Sequence, residues 1–102
     1  MAYVVVVDLT LAPQHRGDFM PLMLANASAS LAHEPGCRQF DVCVSVQAAN
    51  SVLLYEVYDS AAAFQTHLES PHFQSFDQNS AAMVTHKSVR SYLLPDTSAA
   101  GA

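Results

Sequence analysis

Two histidines lie five residues apart in the segment HLESPHF, with a proline between them. His67 and His72 carry imidazoles, whose ordinary pKa of about 6.5 suits them to take up and release protons at neutral pH. Proline ends one helix and is tolerated in the first turn of the next, and Phe73 and Phe76 would anchor that second helix in a core. The pattern therefore indicates a pocket wall at a helix boundary, where both imidazoles could face a bound molecule. The other histidines, which we expect to be exposed and without a role, are His15, His33 and His86.

Three further polar residues fall within apolar segments of the sequence. Glu56 lies inside VLLYEVYD, Asp41 lies on an alternating segment, and Asn26 lies on an apolar helical stripe. A carboxylate in such surroundings either has a raised pKa or is paired with a cation or a hydroxyl. Arg38 or Arg90 could supply a structural ion pair, so each of these residues taken alone could be structural. Burying polar groups costs free energy, so several of them on one small core need a common reason. Together they favour a site that works by proton transfer.

The composition limits the partners of this protein. The 102 residues form one domain, include only four Lys and Arg, and carry a formal net charge of −5. This charge argues against nucleic acid or an anionic membrane surface as a partner. The longest apolar run, YVVVV, is too short to span a bilayer, and two cysteines are too few for a disulfide framework or a zinc site. We therefore expect a cytoplasmic protein that acts on small molecules.

Periodicity along the chain predicts alternating strands and helices. Alternating, β-branched segments indicate strands, and apolar residues three and four apart indicate helices. The predicted strands are residues 3–11, 38–47, 52–59 and 88–94, and the predicted helices are residues 13–33, 61–69 and 71–86. This order predicts an α+β fold of the ferredoxin-like, split βαβ type, with helices on one face of an antiparallel sheet. Residues 1–95 form the predicted domain, and residues 96–102 are predicted to be a disordered tail.

Both faces of the predicted sheet are apolar. On the first strand, Val4 and Val6 point to one face, and Val5 and Val7 point to the other. The helices cover only one face, and an apolar patch on the second face would be unusual for a soluble monomer, whose largest patch is about 300–600 Å². A second copy, packed sheet face to sheet face about a two-fold axis, would cover it. We therefore predict a homodimer.

Several motifs of the chain resemble those of the antibiotic biosynthesis monooxygenase family. The resemblance extends over about residues 3–94 and is carried by EPGCRQFDV, by LYEVYDSAAAFQTHLESPHF and by Asn26 on the first helix. It implies a dimeric ferredoxin-like α+β barrel, with pockets between the sheet and the helices of each subunit. The chain has no tryptophan, which argues against the haem-degrading relatives of the family. The pocket residues that the resemblance implies are Asn26, Asp41, Glu56, Tyr58, His67 and His72.

These residues fit oxygenation of a small aromatic or quinol-like substrate without a cofactor. Removing a phenolic or enolic proton gives an anion that can pass an electron to O₂, and the protein must supply a base, donors for the developing oxyanion and a dry pocket. Glu56 or Asp41 could orient an imidazole. The predicted catalytic residues are the base His72, the assisting base His67, the donors Asn26 and Tyr58, and Glu56. The predicted substrate contacts are Asp41, Tyr55 and Phe73.

Two other functions stay open at this point. An isomerase would use the same base and donors to form an enolate, and for a phosphorylated substrate only Arg38 and Arg90 are placed to supply positive charge. A non-catalytic ligand-binding barrel would use His67 and His72 for binding or packing alone. The two histidines with Glu56 could also be written as a metal triad. The proline between them leaves their relative orientation undetermined, and we predict no metal site.

Overall fold

The computed structural model describes residues 1–95, and four strands and three α-helices form within that range. The strands are β1 (Ala2–Leu11), β2 (Cys37–Val44), β3 (Ser51–Tyr58) and β4 (Val84–Leu94). The helices are α1 (Arg16–His33), α2 (Ala61–Leu68) and α3 (Pro71–Ser80), with 3-10 turns at Pro13–His15 and Ala81–Met83. The predicted α+β ferredoxin-like fold is confirmed. The tail predicted at residues 96–102 lies outside the described residues. No helix within residues 1–95 is long and apolar enough to cross a membrane.

The sheet is antiparallel throughout and has the strand order β2-β3-β1-β4. Val5 of β1 pairs with Glu56 of β3, which pairs in turn with Phe40 of β2. Directly paired residues of neighbouring strands point to the same face of a sheet. These three side chains therefore form one row, and Glu56 lies in the middle of it, on the face that the helices cover.

The main core lies between this face of the sheet and the helices. Val5, Phe19 and Met23 have no exposed surface. Phe19 and Met23 lie four residues apart on α1, which places them on one side of the helix. Burial of a side chain of this size contributes about 1.5–3 kcal/mol. This packing holds α1 against the sheet and so fixes Asn26 and Ser30, which lie further along the same buried side.

Several element boundaries differ from the prediction, including the start of α1 at Arg16 and the start of β4 at Val84. Helix α3 ends at Ser80 and not near residue 86, because the chain from Val84 onwards pairs with β1, beginning opposite Leu11. Such pairing is invisible to local periodicity because the two partners are far apart in sequence. Strand β2 ends at Val44 and not at residue 47, because the Ser45 hydroxyl accepts hydrogen bonds from backbone N–H groups of the turn that follows.

The face of the sheet away from the helices is also apolar in part. Val4 and Val57 are buried there, with Tyr55 packed beside them. Toward the edge of the sheet, Tyr92 is 51% exposed and Leu94 is 47% exposed, and both belong to the same face by their pairing with β1. The homodimer stays a prediction, and this face is where a second copy would pack.

Candidate functional site

A cavity of about 340 Å³ lies between the sheet and the helices. Its size is within the range of small-molecule sites, and most of its wall is apolar. Four buried polar side chains interrupt that wall, namely Asn26, Glu56, His67 and Ser80. Exposed polar side chains border the cavity where α3 and β4 meet solvent, and these are Asp77, Thr85, His86 and Lys87. A few polar groups converging in an apolar cavity are typical of a ligand or substrate site.

Of the two histidines of HLESPHF, His67 is the one that lines this cavity. It lies near the end of α2, where the Ser70 hydroxyl donates to the His67 carbonyl and accepts from the N–H of Phe73. Ser70 is thus the N-cap of α3, and Pro71 occupies the first turn, as the prediction of a helix boundary required. The sharp turn between the two helices brings the side chain of His67, which is 2% exposed, over the sheet. Phe73 also lines the cavity, and its predicted contact with a substrate stays a prediction.

The hydrogen bonds of His67 define which ring nitrogen carries the proton. Nδ1 lies 2.8 Å from Oε2 of Glu34 and 3.3 Å from Oγ of Ser30. The single hydroxyl proton of Ser30 is donated to the carbonyl of Asn26, so Oγ offers only lone pairs to the imidazole. Nδ1 must therefore donate to both oxygens. The other nitrogen, Nε2, is left with a lone pair and no hydrogen bond to any residue in the range 1–95.

The electrostatics keep this imidazole neutral. Burial lowers the pKa of His67, and a positive charge on His72 would lower it further, whereas the hydrogen bond to Glu34 and its negative charge oppose the shift. Burial is the larger effect because His67 is almost fully removed from water. A neutral imidazole with a bare Nε2 is the form that a general base requires.

Glu34 connects the two histidines, and the sequence analysis gave it no role. Its Oε2 lies 2.8 Å from Nδ1 of His67 and 2.5 Å from Nε2 of His72. Its Oε1 is buried and has no hydrogen-bond partner within residues 1–95. One signal could have revealed it: a carboxylate directly after the last turn of α1 lies at the negative end of a helix dipole, where it is unfavourable without a compensating partner.

His72 lies behind Glu34 and not in the cavity wall. Its side chain is 18% exposed and borders a surface depression formed by the end of α1 and the start of α3. A molecule in the cavity would therefore meet His67 first. The predicted base His72 is therefore farther from the cavity than the predicted assisting base His67, because the two side chains project from two helices whose crossing is not encoded in the spacing of the residues.

Glu56 and Tyr58 form a second buried pair beside the cavity. The Tyr58 hydroxyl donates to Oε1 of Glu56 over 2.5 Å. Burial raises the pKa of Glu56 to about 7 and the charge of Glu34 adds to this, while the bond from Tyr58 and the charge of Lys87 oppose it. Burial and the neighbouring Glu56 also raise the pKa of Tyr58 above its usual range. Tyr58 does not line the cavity, so its hydroxyl supports Glu56 and is not itself placed to contact a substrate.

Asn26 presents an unsatisfied amide to the cavity. The residue is 3% exposed, and its Oδ1 is buried without a hydrogen-bond partner in the described part of the chain. Leaving a buried polar atom unpaired costs about 1–3 kcal/mol. Asn26 therefore carries an unpaired acceptor in a residue that lines the cavity, and its contact with a substrate stays a prediction.

Asp41 and Tyr55 are not brought to the cavity. They pair with each other across β2 and β3 and lie on the face of the sheet away from the helices. Asp41 is exposed and accepts a hydrogen bond of 2.6 Å from Gln39. Side chains alternate along a strand, so the neighbours of the inward-facing Phe40 and Glu56 must point outward. The two predicted contacts are on the wrong face for this cavity.

The ion pairs of the two arginines differ from those considered in the sequence analysis, where Arg38 or Arg90 could pair with the buried polar residues. Arg38 pairs with Asp59 at 2.5 Å, and Arg90 pairs with Asp8 at 2.7 Å. Neither arginine neutralises Asp41 or Glu56. Both pairs are about half exposed, so they contribute little to stability.

The ligand atoms of Glu34, His67 and His72 lie within 4.8 Å of one another, so this group could be considered for a metal ion. The separations of 2.5 and 2.8 Å between Oε2 and the two nitrogens are those of hydrogen bonds. Donor atoms around a tetrahedral zinc ion, each about 2.1 Å from the metal, would be about 3.4 Å apart. The spacing fits a proton-sharing cluster, and Glu56, the carboxylate considered from the sequence, is not part of it.

Residues 2–79 match the model of the family described as antibiotic biosynthesis monooxygenase. A candidate antibiotic biosynthesis monooxygenase from Nitrosomonas europaea has a similar structure, with a TM-score of 0.86 and 23% identity over 89% of this chain and 88% of that one. A protein from Mycobacterium tuberculosis has a TM-score of 0.86 and 23% identity over 96% of this chain and 99% of its own. At these identities the structural likeness shows a shared fold. No curated protein sequence matches the chain.

Proposed function

The chain belongs to the antibiotic biosynthesis monooxygenase family, and on that premise we propose that it is a cofactor-independent monooxygenase acting on a small phenolic or quinol-like molecule. The observation that carries the proposal is the protonation pattern of His67. Nδ1 donates to Glu34 and Ser30, and Nε2 therefore offers a lone pair to the cavity. A base in an apolar cavity can generate the electron-rich anion that reacts with O₂.

The reaction needs no electron donor other than the substrate. Nε2 of His67 takes the proton of a substrate hydroxyl, and the resulting anion passes one electron to O₂. The substrate radical and superoxide combine at carbon, and the bound hydroperoxide then loses water to leave a carbonyl. One oxygen atom enters the product, the other leaves as water, and His67 returns its proton during that last step.

Asn26 and Glu56 are the groups proposed to hold the substrate oxygens. Asn26 lines the same cavity as His67, and its buried Oδ1, which has no partner among the described residues, can only accept a hydrogen bond, as from a substrate hydroxyl. Its amide N–H group is the one that would donate to an oxyanion. Glu56 has a pKa of about 7, so a large fraction of it is protonated at neutral pH and can donate a hydrogen bond to an oxyanion. Such donors stabilise charge as it develops in a water-poor site.

A homodimer is part of this proposal. Tyr92 and Leu94 of β4, together with Val4, Val57 and Tyr55, are apolar side chains on the face of the sheet opposite the cavity. A second copy packed on this face would cover it without closing the cavity, which opens on the helix side. The two sites of such a dimer would then be separate.

The test is O₂ uptake by chelator-treated protein, measured with a panel of hydroquinones and polycyclic phenols. We expect uptake by the wild type and a loss of at least about 100-fold in His67→Gln, since positioned bases contribute about 10²–10⁴-fold. His15→Gln is the matched control, because His15 lies in the turn before α1 and does not border the cavity. Uptake that persists in His67→Gln would contradict the assignment of the base.

An isomerase acting on an enolisable anion is a second candidate, and one observation favours it. Lys87 and His86 border the cavity, so positive charge is available at its edge, although Arg38 and Arg90 are engaged elsewhere. An isomerase would convert its substrate under argon, whereas a monooxygenase would not. A protein that binds members of the panel but does neither would be a ligand-binding barrel.

A further inference from the structure

The two histidines of HLESPHF have different environments although they share one carboxylate. We propose that Glu34 and His72 are positioning residues, with His72 as an imidazolium that keeps Glu34 ionised, and ionised Glu34 holding His67 in the tautomer that presents Nε2 to the cavity. This inference rests on the proposed function for its catalytic meaning. The charge states that it assigns do not depend on the identity of the substrate.

Hydrogen-bond geometry carries the first step. One oxygen, Oε2 of Glu34, lies within hydrogen-bond distance of Nδ1 of His67 and Nε2 of His72. An ionised carboxylate only accepts, so both of these nitrogens must carry protons. The bond to His67 leaves the second nitrogen of that ring facing the cavity. The bond to His72 leaves the second nitrogen of that ring on the side of the surface depression.

The burial of the Glu34 carboxylate requires a positive charge beside it. Glu34 has a side chain that is 6% exposed, and its Oε1 has no partner among residues 1–95. A buried carboxylate in this state is stable only beside a positive charge. No Lys or Arg among residues 1–95 forms an ion pair with Glu34, and only His67 and His72 do, so the cation must be one of the two histidines.

Exposure decides which histidine is the cation. The side chain of His72 is 18% exposed, whereas that of His67 is 2% exposed, so a charge on His72 keeps more of its hydration. His72 lies in the first turn of α3, where the helix dipole disfavours a cation. The direct hydrogen bond between opposite charges outweighs that effect, since charge-assisted bonds are the strongest of their kind and the dipole acts diffusely.

Other titratable groups surround the cluster on each side. Glu69 and His33 border the depression next to His72. Glu56 and Cys37 face Glu34 from the sheet, and the charge of Glu34 raises the pKa of both. None of these four groups is within hydrogen-bond distance of His67 or His72. The pair formed by Glu34 and His72 is therefore the contact that sets the proton positions on both rings.

The assignment separates the roles of the two histidines. His67 is neutral at rest and can take a proton, and the imidazolium that it then becomes is stabilised by Glu34. His72 is charged and engaged, so it does not compete for the substrate proton. A neutral Glu34 in the same position could donate its own proton to Nδ1 of His67. His67 could then adopt the other tautomer, in which Nε2 is protonated and cannot act as a base.

Long-range ¹H–¹⁵N NMR of the histidine side chains at pH 7 tests the proposal on the wild type, with assignments taken from His67→Gln and His72→Gln. We expect His67 to be protonated at Nδ1 alone and His72 to be protonated at both nitrogens. In Glu34→Gln, His72 should lose its second proton. Glu69→Gln is the matched control, because Glu69 borders the same depression but accepts its hydrogen bond from Gln65. It should leave both patterns unchanged.

A doubly protonated His67, a neutral His72 or a His67 protonated at Nε2 would each overturn the proposal, and the wild-type spectrum alone decides between them. If the variants do not fold, the assignment of the wild type can rest on its pH titration. With an active substrate, Glu34→Gln should lower kcat at least 10-fold and leave KM within about twofold, while His72→Lys should retain more activity than His72→Gln because it restores the charge. Absence of O₂ uptake by the wild type would refute the proposed function but not the charge states.

Discussion

The hydroxyl of Tyr58 donates to Oε1 of Glu56 over 2.5 Å inside the core, beside a cavity that also contains His67. The pair joins a fully buried side chain to one that lines the cavity. It therefore connects the stability of the sheet to the charge state of the site. Its consequences can be measured without a substrate.

Glu56→Gln should increase stability at alkaline pH and leave it unchanged at acid pH. Burial raises the pKa of Glu56 to about 7 in the folded protein, whereas an ordinary glutamate carboxyl, as in the unfolded chain, has a pKa of 4.5. The native state thus binds more protons between these values, and the wild type loses stability as the pH rises through that window. The full loss in unfolding free energy of the wild type, relative to Glu56→Gln, corresponds to roughly 3 kcal/mol. Urea unfolding of both proteins at pH 4.5 and pH 8 measures it.

Glu69→Gln serves as the control for that experiment, because Glu69 is exposed and bonded only to Gln65. We expect the difference in unfolding free energy between this variant and the wild type to be the same at both pH values. If Glu56→Gln behaved in the same way, Glu56 would be ionised in the folded state with a partner that compensates its charge.

Asn26→Leu should stabilise the protein and abolish tight binding of the substrate. The amide oxygen of Asn26 is buried without a partner in residues 1–95, so its replacement by an apolar group of similar size removes an unmet polar group. The gain should be about 1–3 kcal/mol. Ser30→Ala is the contrasting variant, since Ser30 is fully buried and bonded to Asn26 and His67, and it should lose about 1 kcal/mol. Thermal unfolding compares the two.

Gly36→Ala and Gly17→Ala should change stability in opposite directions. A Cβ at Gly36 would lie 2.6 Å from Cβ of Ala63, so the turn before β2 and helix α2 would have to move apart. Overpacking of this kind costs about 1–3 kcal/mol. A Cβ at Gly17 meets nothing within 4 Å and lies in the first turn of α1, so alanine there should add about 0.4–1 kcal/mol. Equal effects at both positions would show that the contact with Ala63 relaxes at no cost.

Leu94→Asp should weaken the proposed dimer, whereas Leu24→Asp should not. The two leucines are 47% and 50% exposed, so neither change should unfold the monomer. Leu94 lies on the face of the sheet where the second copy is proposed to pack, and Leu24 lies on the exposed side of α1. Burying a carboxylate in that interface should raise the dissociation constant at least 10-fold, or about 1.4 kcal/mol. Sedimentation equilibrium measures this constant, and a monomeric wild type would contradict the dimer.

Local sequence determined most of the fold and part of the site. The strand and helix periodicities give the correct order of elements, because each residue's side depends only on its position along its own strand or helix. The same rule places Asn26, Glu56 and His67 on buried faces. The prediction that Asp41 and Tyr55 contact the substrate departed from this rule, because strict alternation along the strands puts both residues on the outer face, where the structure has them.

The tertiary structure alone decided which of the two histidines lines the cavity and which lies at the surface. Glu34 is 33 residues from His67 and 38 from His72 in sequence, and the three side chains meet because α1 ends beside the junction of α2 and α3. The extension of β4 back to Val84 has the same origin, since its hydrogen-bond partner is β1 at the other end of the chain. Spacing along the chain fixes which face a residue occupies, but the distance between remote residues depends on how helices cross the sheet. That crossing makes His67 the histidine of the cavity and leaves His72 at the surface.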